Sequence, residues 1–285
     1  MVLVAKPAGP TSHDVVDIVR RALGVSRVGH LGTLDPFAAG LLVLVVGRAT
    51  RLAPFATEWT KDYDGVIRLG TVTATDDSTG AVVATSQEWR TLDRGRMAAV
   101  LVEFRGAYDQ RPPAFSAVKV DGERAYRRAR RGEAVALEAR RVEVRDITLV
   151  DFAPPDVAFR ATVTAGTYLR SLARDVGERL GCGAHLAALT RTRVGPFRLE
   201  DAAEPAKVLW SAVRDPAGLV ADLPRRELDE AERGLVSHGR AIDPKDGGWG
   251  KGEGGRVALF ADGRLVAVAE RVGDVLKPRV VLVDA

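Results

Sequence analysis

The stretch "RVGHLGTLDPFAAGLLVLVVGRATRL", Arg27 to Leu52, decides how this chain folds. Leu41 to Val46 is an unbroken apolar run without alternation, the pattern of a strand buried on both faces. Just ahead of it stand Gly29, Gly32 and Gly40, a lone carboxylate at Asp35, and Pro36. A charge so close to the core is costly unless it is paired or used. Residue chemistry leaves Asp35 two readings: a nucleophile or base, or a turn aspartate satisfying backbone amides before a proline.

Upstream, "KPAGPTSHDVVDIVRRALG" reads as a turn and then a helix, capped by Thr11 or Ser12, supported by Asp14 and ended by Gly24. Downstream, "KDYDGVIRLGTVTATDDSTGAVVATSQ" holds strand-like runs around the turn residues Asp76 to Gly80, the signature of a hairpin. "DRGRMAAVLVEFRG" reads as a short helix. "RRVEVRDITLVDF" and "VAFRATVTAGTYLR" read as strands, the second entering a helix with Leu169, Leu172, Ala173, Val176 and Leu180 at helical spacing and Gly181 at its end. Many strands, few helices and no regular βαβ rhythm predict an α+β fold with a mixed, mostly antiparallel sheet and flanking helices. Near the end, "AIDPKDGGWGKGEGG" is a glycine-rich loop. Asp262-Gly263 between "RVALFA" and "RLVAVAE" is a hairpin signal, so the last sixty or so residues read as a small β-rich appended domain.

At 285 residues, 46% hydrophobic and 28% charged, the chain has room for a large domain and a small one. No signal peptide or membrane-length apolar run is visible, which places the expected compartment in the cytoplasm. Cys182 is the single cysteine and the four histidines lie far apart, so no metal and no redox chemistry are expected. The net charge of +4 is uneven: Arg105 to Arg131 carries eight Lys/Arg against three Asp/Glu. Within it, "GERAYRRARRGE" reads as a short basic helix. The stretch Tyr108 to Glu133 has too few apolar residues for a core of its own, so it reads as an excursion built to touch a polyanion.

"GHLGTLDPFAAGLLVLVVG" closely resembles the signature of the TruB family of tRNA pseudouridine synthases. The resemblance continues through "KPAGPTSHDVV", "KDY", "PPAFSAVKVDGERAY", "GTYLRSLARDVGERLGCGAH" and "LKPRVV", nearly the whole chain. Among its departures, Leu31 stands where threonine is common, Phe37 where leucine is common and Phe115 where tyrosine is common; none removes an ionisable group. The resemblance implies a catalytic domain over residues 1–222 with a basic insertion at about 105–135, followed at 223–285 by a small C-terminal PUA-like β-barrel. It implies isomerisation of uridine 55 in the tRNA T-loop: cleavage of the N1–C1′ bond, rotation of the uracil and rejoining through C5. No cofactor, guide RNA or membrane is implied; the partner is the tRNA T-stem-loop, and the chain works as a monomer.

The same resemblance assigns roles. Asp35 is the nucleophile or base, Tyr63 stacks on the flipped-out base, and Arg170 pairs with Asp35. Arg170 has a physical reason for that pairing, since a cation near a helix N-terminus needs a carboxylate. Such a partner would pull the Asp35 pKa down against the rise from burial. His30 supports the flipped RNA, and Tyr168 and Leu189 line the uridine pocket. From charge rather than resemblance, some of Arg127, Arg128, Arg130 and Arg131 are expected to reach phosphates, and others to point to solvent or to carboxylates of the chain. Two alternatives stand beside this reading: a non-catalytic RNA-binding or tRNA-folding protein on the same fold, and the related guide-dependent synthase.

Overall fold

The structure is a computed structural model that describes every residue except 117, 121, 132, 134–136, 246–253 and 283–285. In chain order come β1 (Val2–Lys6), α1 (Ser12–Leu23), β2 (Val28–Leu31), β3 (Ala39–Val46), β4 (Lys61–Leu69), β5 (Thr71–Thr73), β6 (Val82–Thr85), α2 (Arg94–Glu103) and β7 (Gly106–Gln110). The insertion holds β8 (Lys119–Val120), β9 (Glu123–Arg124) and α3 (Ala125–Arg130). Next are β10 (Arg140–Ala153), β11 (Asp156–Val163), α4 (Leu169–Leu180), β12 (Ala184–Val194) and β13 (Phe197–Arg198). The last elements are β14 (Arg225–Glu227), α5 (Glu230–Ser237), β15 (Arg256–Ala261), β16 (Arg264–Val272) and β17 (Val275–Val281).

The apolar run becomes β3, and its side chains divide as the two-residue period of a strand requires. Leu41, Val43 and Val45 enter one core with Leu52, Val194 and Leu219. Leu42 and Leu44 enter another with Val15, Val16, Val19 and Leu23 of α1. That helix starts at a capping box: the Thr11 side chain accepts from the Asp14 N–H while the Asp14 carboxylate accepts from the Thr11 N–H. Gly24, at φ +63°, ends it.

The main sheet runs β1-β3-β12-β4-β11-β10-β7, with β2 on β3 and β13 on β12. Every pairing in it is antiparallel except β3 with β12. This is the mixed, mostly antiparallel sheet with flanking helices expected from the sequence. Helices α2 and α4 cover one face through Met97, Val100, Leu101, Leu172 and Val176. The expected hairpin around Asp76–Gly80 is the short β5–β6 pair. The basic helix spans only Ala125–Arg130, because Glu123 and Arg124 are strand.

The C-terminal part corrects an expectation. Among the described residues no PUA-like β-barrel forms: the sheet runs β14-β15-β16-β17 and is open, β14 and β17 being its edges. Its continuous apolar strands have another cause. Val257, Leu259, Ala261 and Leu276 pack under Val236 of α5, while Ala258, Phe260, Leu265 and Val268 join Leu41, Val43 and Val45 in the core behind β3. The sheet is covered by layers on both faces and has no need to curl on itself. The hairpin at Asp262-Gly263 is present, both residues at positive φ (50° and 73°). Arg51, in the segment that follows β3, donates to the carbonyls of Val281 and Arg279 and so fastens β17 to it. Most of the glycine-rich loop lies outside the described residues. Among those described, no helix is long and apolar enough to cross a membrane.

Candidate active site

The loop from Gly32 to Ala38 joins β2 to β3, and it is held largely through its backbone. Ser12 Oγ accepts from the Leu34 N–H (2.9 Å) and donates to the Leu34 carbonyl (3.1 Å). Lys6 Nζ donates to the carbonyls of Pro7 (2.9 Å), Pro10 (2.7 Å) and Pro36 (3.3 Å). Arg191, fully buried at 0% exposure, donates to the carbonyls of Gly32 (3.0 Å), Thr33 (3.4 Å) and Leu41 (2.8 Å). Two buried cations thus satisfy carbonyls that no regular ladder could reach. Burial lowers the Lys6 pKa to about 8, with the Asp35 charge opposing. Leu34 and Ala38 point into the core and leave the Asp35 carboxylate facing outward.

There it meets Arg170. Arg170 Nε donates to Asp35 Oδ2 and Nη2 to Oδ1, both at 2.9 Å, a two-point pair. The Arg170 side chain is 5% exposed and that of Asp35 34%, so the arginine is the floor and the carboxylate the exposed member. Arg170 also donates to the carbonyls of Thr75 and Phe115, both at 3.1 Å. Burial pushes the Asp35 carboxyl above the ordinary aspartate value; Arg170 and Lys6 pull it down and Asp77 pushes it up. The pull expected from Arg170 is present, but burial outweighs it.

Asp77 was not singled out in the sequence, where it reads as a turn residue. It is buried, its Oδ1 accepting from Thr75 Oγ1 (2.7 Å), Thr79 N–H (2.9 Å) and Thr79 Oγ1 (2.6 Å). Its Oδ2 lies 3.7 Å from Arg170 Nη1, a second carboxylate on the same guanidinium. The adjacent hydroxyls in "TATDDSTG" are the one signal that this turn holds a buried acid.

The other expected residues are placed as follows. Tyr63 on β4 and Leu189 on β12 are buried in one core with Leu34 and Ala38, beside the Asp35 loop. Tyr168 precedes α4 and packs against Val118, Ala125 and Leu137 of the insertion. His30 on β2 is half-buried; burial and then the Arg191 charge lower its pKa, and its Nδ1 has no hydrogen-bond partner among the described residues. The arginine run lies apart, on the insertion. Arg127 is exposed, Arg128 pairs with Glu133 (2.9 Å), and Arg131 pairs with Glu123 and Glu133 (2.7 Å each). The side chain of Arg130 lies outside the described residues. No group of three or more His, Cys, Asp or Glu suited to a metal occurs among the described residues.

The site thus sets half-buried Asp35 on buried Arg170 of α4, with Tyr63 in the adjoining core. Comparison with known proteins gives the class, a pseudouridine synthase. The TruB family pseudouridylate synthase N-terminal domain matches residues 20–169, the tRNA pseudouridylate synthase B C-terminal domain residues 170–215, and the tRNA pseudouridine synthase II C-terminal domain residues 223–283. The chain belongs to the TruB family. It is 46% identical to the tRNA pseudouridine synthase B of Thermobifida fusca (strain YX), over 99% of this chain and 97% of that one. It is 38% identical to the enzyme of that name from Azoarcus sp. (strain BH72), over 98% and 93%. Among solved structures, a Cbf5-Nop10-Gar1 complex contains a chain of the same fold, with TM-score 0.75 and 27% identity over 99% of this chain and 84% of that one.

Proposed function

We propose that this chain converts uridine 55 in the T-loop of tRNA to pseudouridine, with Asp35 as the nucleophile or base and without cofactor or guide RNA. The observation that carries this reading is the two-point pair between half-buried Asp35 and buried Arg170. Arg170 stabilises the ionised carboxylate and fixes its two oxygens in space, leaving it free to attack the flipped uridine or to take a proton from the sugar. The N1–C1′ bond breaks, the uracil turns, C5 bonds to C1′, the C5 hydrogen leaves as a proton, and N1, freed of the sugar, takes one up. Atoms balance without an outside reactant, because the product is an isomer of the substrate.

In this reading the target base leaves the RNA stack and lies against Tyr63, with Leu189 and Tyr168 at the pocket wall and His30 supporting the strand it came from. Residues 1–222 carry the chemistry with the insertion at about 105–135, and 223–285 add RNA contact. The chain acts as a monomer on bare tRNA in the cytoplasm. The test is tritium release from tRNA labelled at uridine C5, with the purified chain alone. Release from position 55 is expected; none, with tRNA bound, would leave a binding protein on this fold.

A further inference from the structure

Gln110 ends β7, where the chain leaves the sheet for the insertion, and it is 1% exposed. Its side-chain amide clasps both backbone groups of one distant residue. Oε1 accepts from the Tyr168 N–H (2.8 Å), and Nε2 donates to the Tyr168 carbonyl (3.1 Å) and to the Tyr108 hydroxyl. Tyr168 is the N-cap of α4 and its side chain makes no cap bond there, so Gln110 holds the point at which the helix begins. Arg170 stands two residues further on.

The following residues are fastened to the same turns of α4. The Arg111 carbonyl accepts from Ser171 Oγ and Arg174 Nη2, both at 2.8 Å, and the Phe115 carbonyl accepts from Arg170 itself. On its other side the Tyr168 ring packs on Val118, Ala125 and Leu137, the small apolar cluster of the insertion. The insertion and the catalytic arginine therefore share one support, with Gln110 at its centre.

We infer that Gln110 is a positioning residue that ties the seating of the insertion on RNA to the alignment of Arg170 with Asp35. The inference rests on the reading of Asp35 and Arg170 given above. A displacement of about 1 Å at a reacting group can cost a hundredfold in rate. The start of α4 is where such a displacement would reach both Asp35 oxygens at once.

The experiment is single-turnover kinetics at saturating tRNA, together with tRNA binding, for Gln110→Met, which fills the space without polar atoms. Gln110→Asn, which keeps the amide but shortens its reach, is measured alongside in case the first variant does not fold. Each is expected to lower the rate constant about 10–100-fold while the dissociation constant moves less than about threefold. In an Arg170→Lys background the same change should cost little more, because Gln110 acts through Arg170. A rate constant within about twofold of wild type, a loss of affinity alone, or fully additive losses would each overturn the inference. Asp35→Asn run in parallel separates the two readings: turnover by that variant defeats the assignment of Asp35, whatever Gln110 does.

Discussion

A Cβ built on Gly40 would fall 2.5 Å from the backbone nitrogen of Arg191, and closer still to its carbonyl oxygen. Gly40 also sits at φ +113°, where only glycine is comfortable. This close approach is where β3 meets β12 in the one parallel pairing of the sheet, Gly40 standing opposite Arg191. Gly40→Ala is expected to cost at least about 1–3 kcal/mol from backbone strain alone. At about 2–4 °C per kcal/mol, a drop in melting temperature of several degrees should appear in a thermal scan. An unchanged melt would mean the two strands separate easily.

Asp35→Asn keeps the shape of the side chain and removes both the nucleophile and the base. Isomerisation should fall below a few per cent, while tRNA affinity stays within about tenfold, roughly 1.4 kcal/mol. Tritium release and filter binding on the same preparation measure the two quantities. Substantial turnover would move the chemistry to another group.

Arg170→Lys should lower turnover severely with little change in affinity. An ammonium cannot span both Asp35 oxygens while also serving the carbonyls of Thr75 and Phe115. A lysine variant at wild-type rate would show that the fork geometry is unnecessary.

The pH dependence follows from the direction of the Asp35 shift. Burial raises its pKa in the folded chain, so the active carboxylate is lost earlier on acidification than for an ordinary aspartate near 3.9. A carboxyl raised on folding adds stability while protonated and loses that contribution as pH rises through its folded pKa. Acid therefore removes activity while relieving this group's burden on the fold. The single-turnover profile should show an acidic limb above the ordinary aspartate value. A limb at or below the ordinary aspartate value would make the arginine, not burial, the stronger influence.

The arginine run should govern affinity. Replacing Arg127, Arg128, Arg130 and Arg131 with alanine should flatten the log–log salt dependence of tRNA binding by about 1–3 units. Arg127→Ala should take a larger share than Arg128→Ala or Arg131→Ala, because Arg128 and Arg131 are held by Glu133 and Glu123. A salt titration with an unchanged slope would make this a solvated helix face.

Local features were legible in the sequence. The two-sided burial of β3, the caps of α1, the turn at Asp262-Gly263 and the need of Arg170 for a carboxylate all follow from short-range pattern and charge. Two features were not: Lys6 and Arg191 each reach the Asp35 loop across the sequence, at the carbonyls of Pro36 and Gly32, and nothing in their own neighbourhoods says that they are buried. Asp77 was hinted at only by its flanking threonines. The C-terminal sheet misled differently. An unbroken apolar strand shows that both faces are covered, but not whether a layer or a closing barrel covers them.

The parallel pairing of β3 with β12 also bears on the order in which the chain is made. Among the described residues β3 is hydrogen-bonded in the sheet to β1, β2 and β12, so its ladder to the strands beyond β2 runs through an element ending at Val194. A chain emerging from the ribosome carries Asp35 for 135 residues before Arg170 exists, and longer still before Arg191 can grip the loop. The segment that carries the acid is thus made long before the residues that give it its working shape. An unfinished chain holds the acid but not the site.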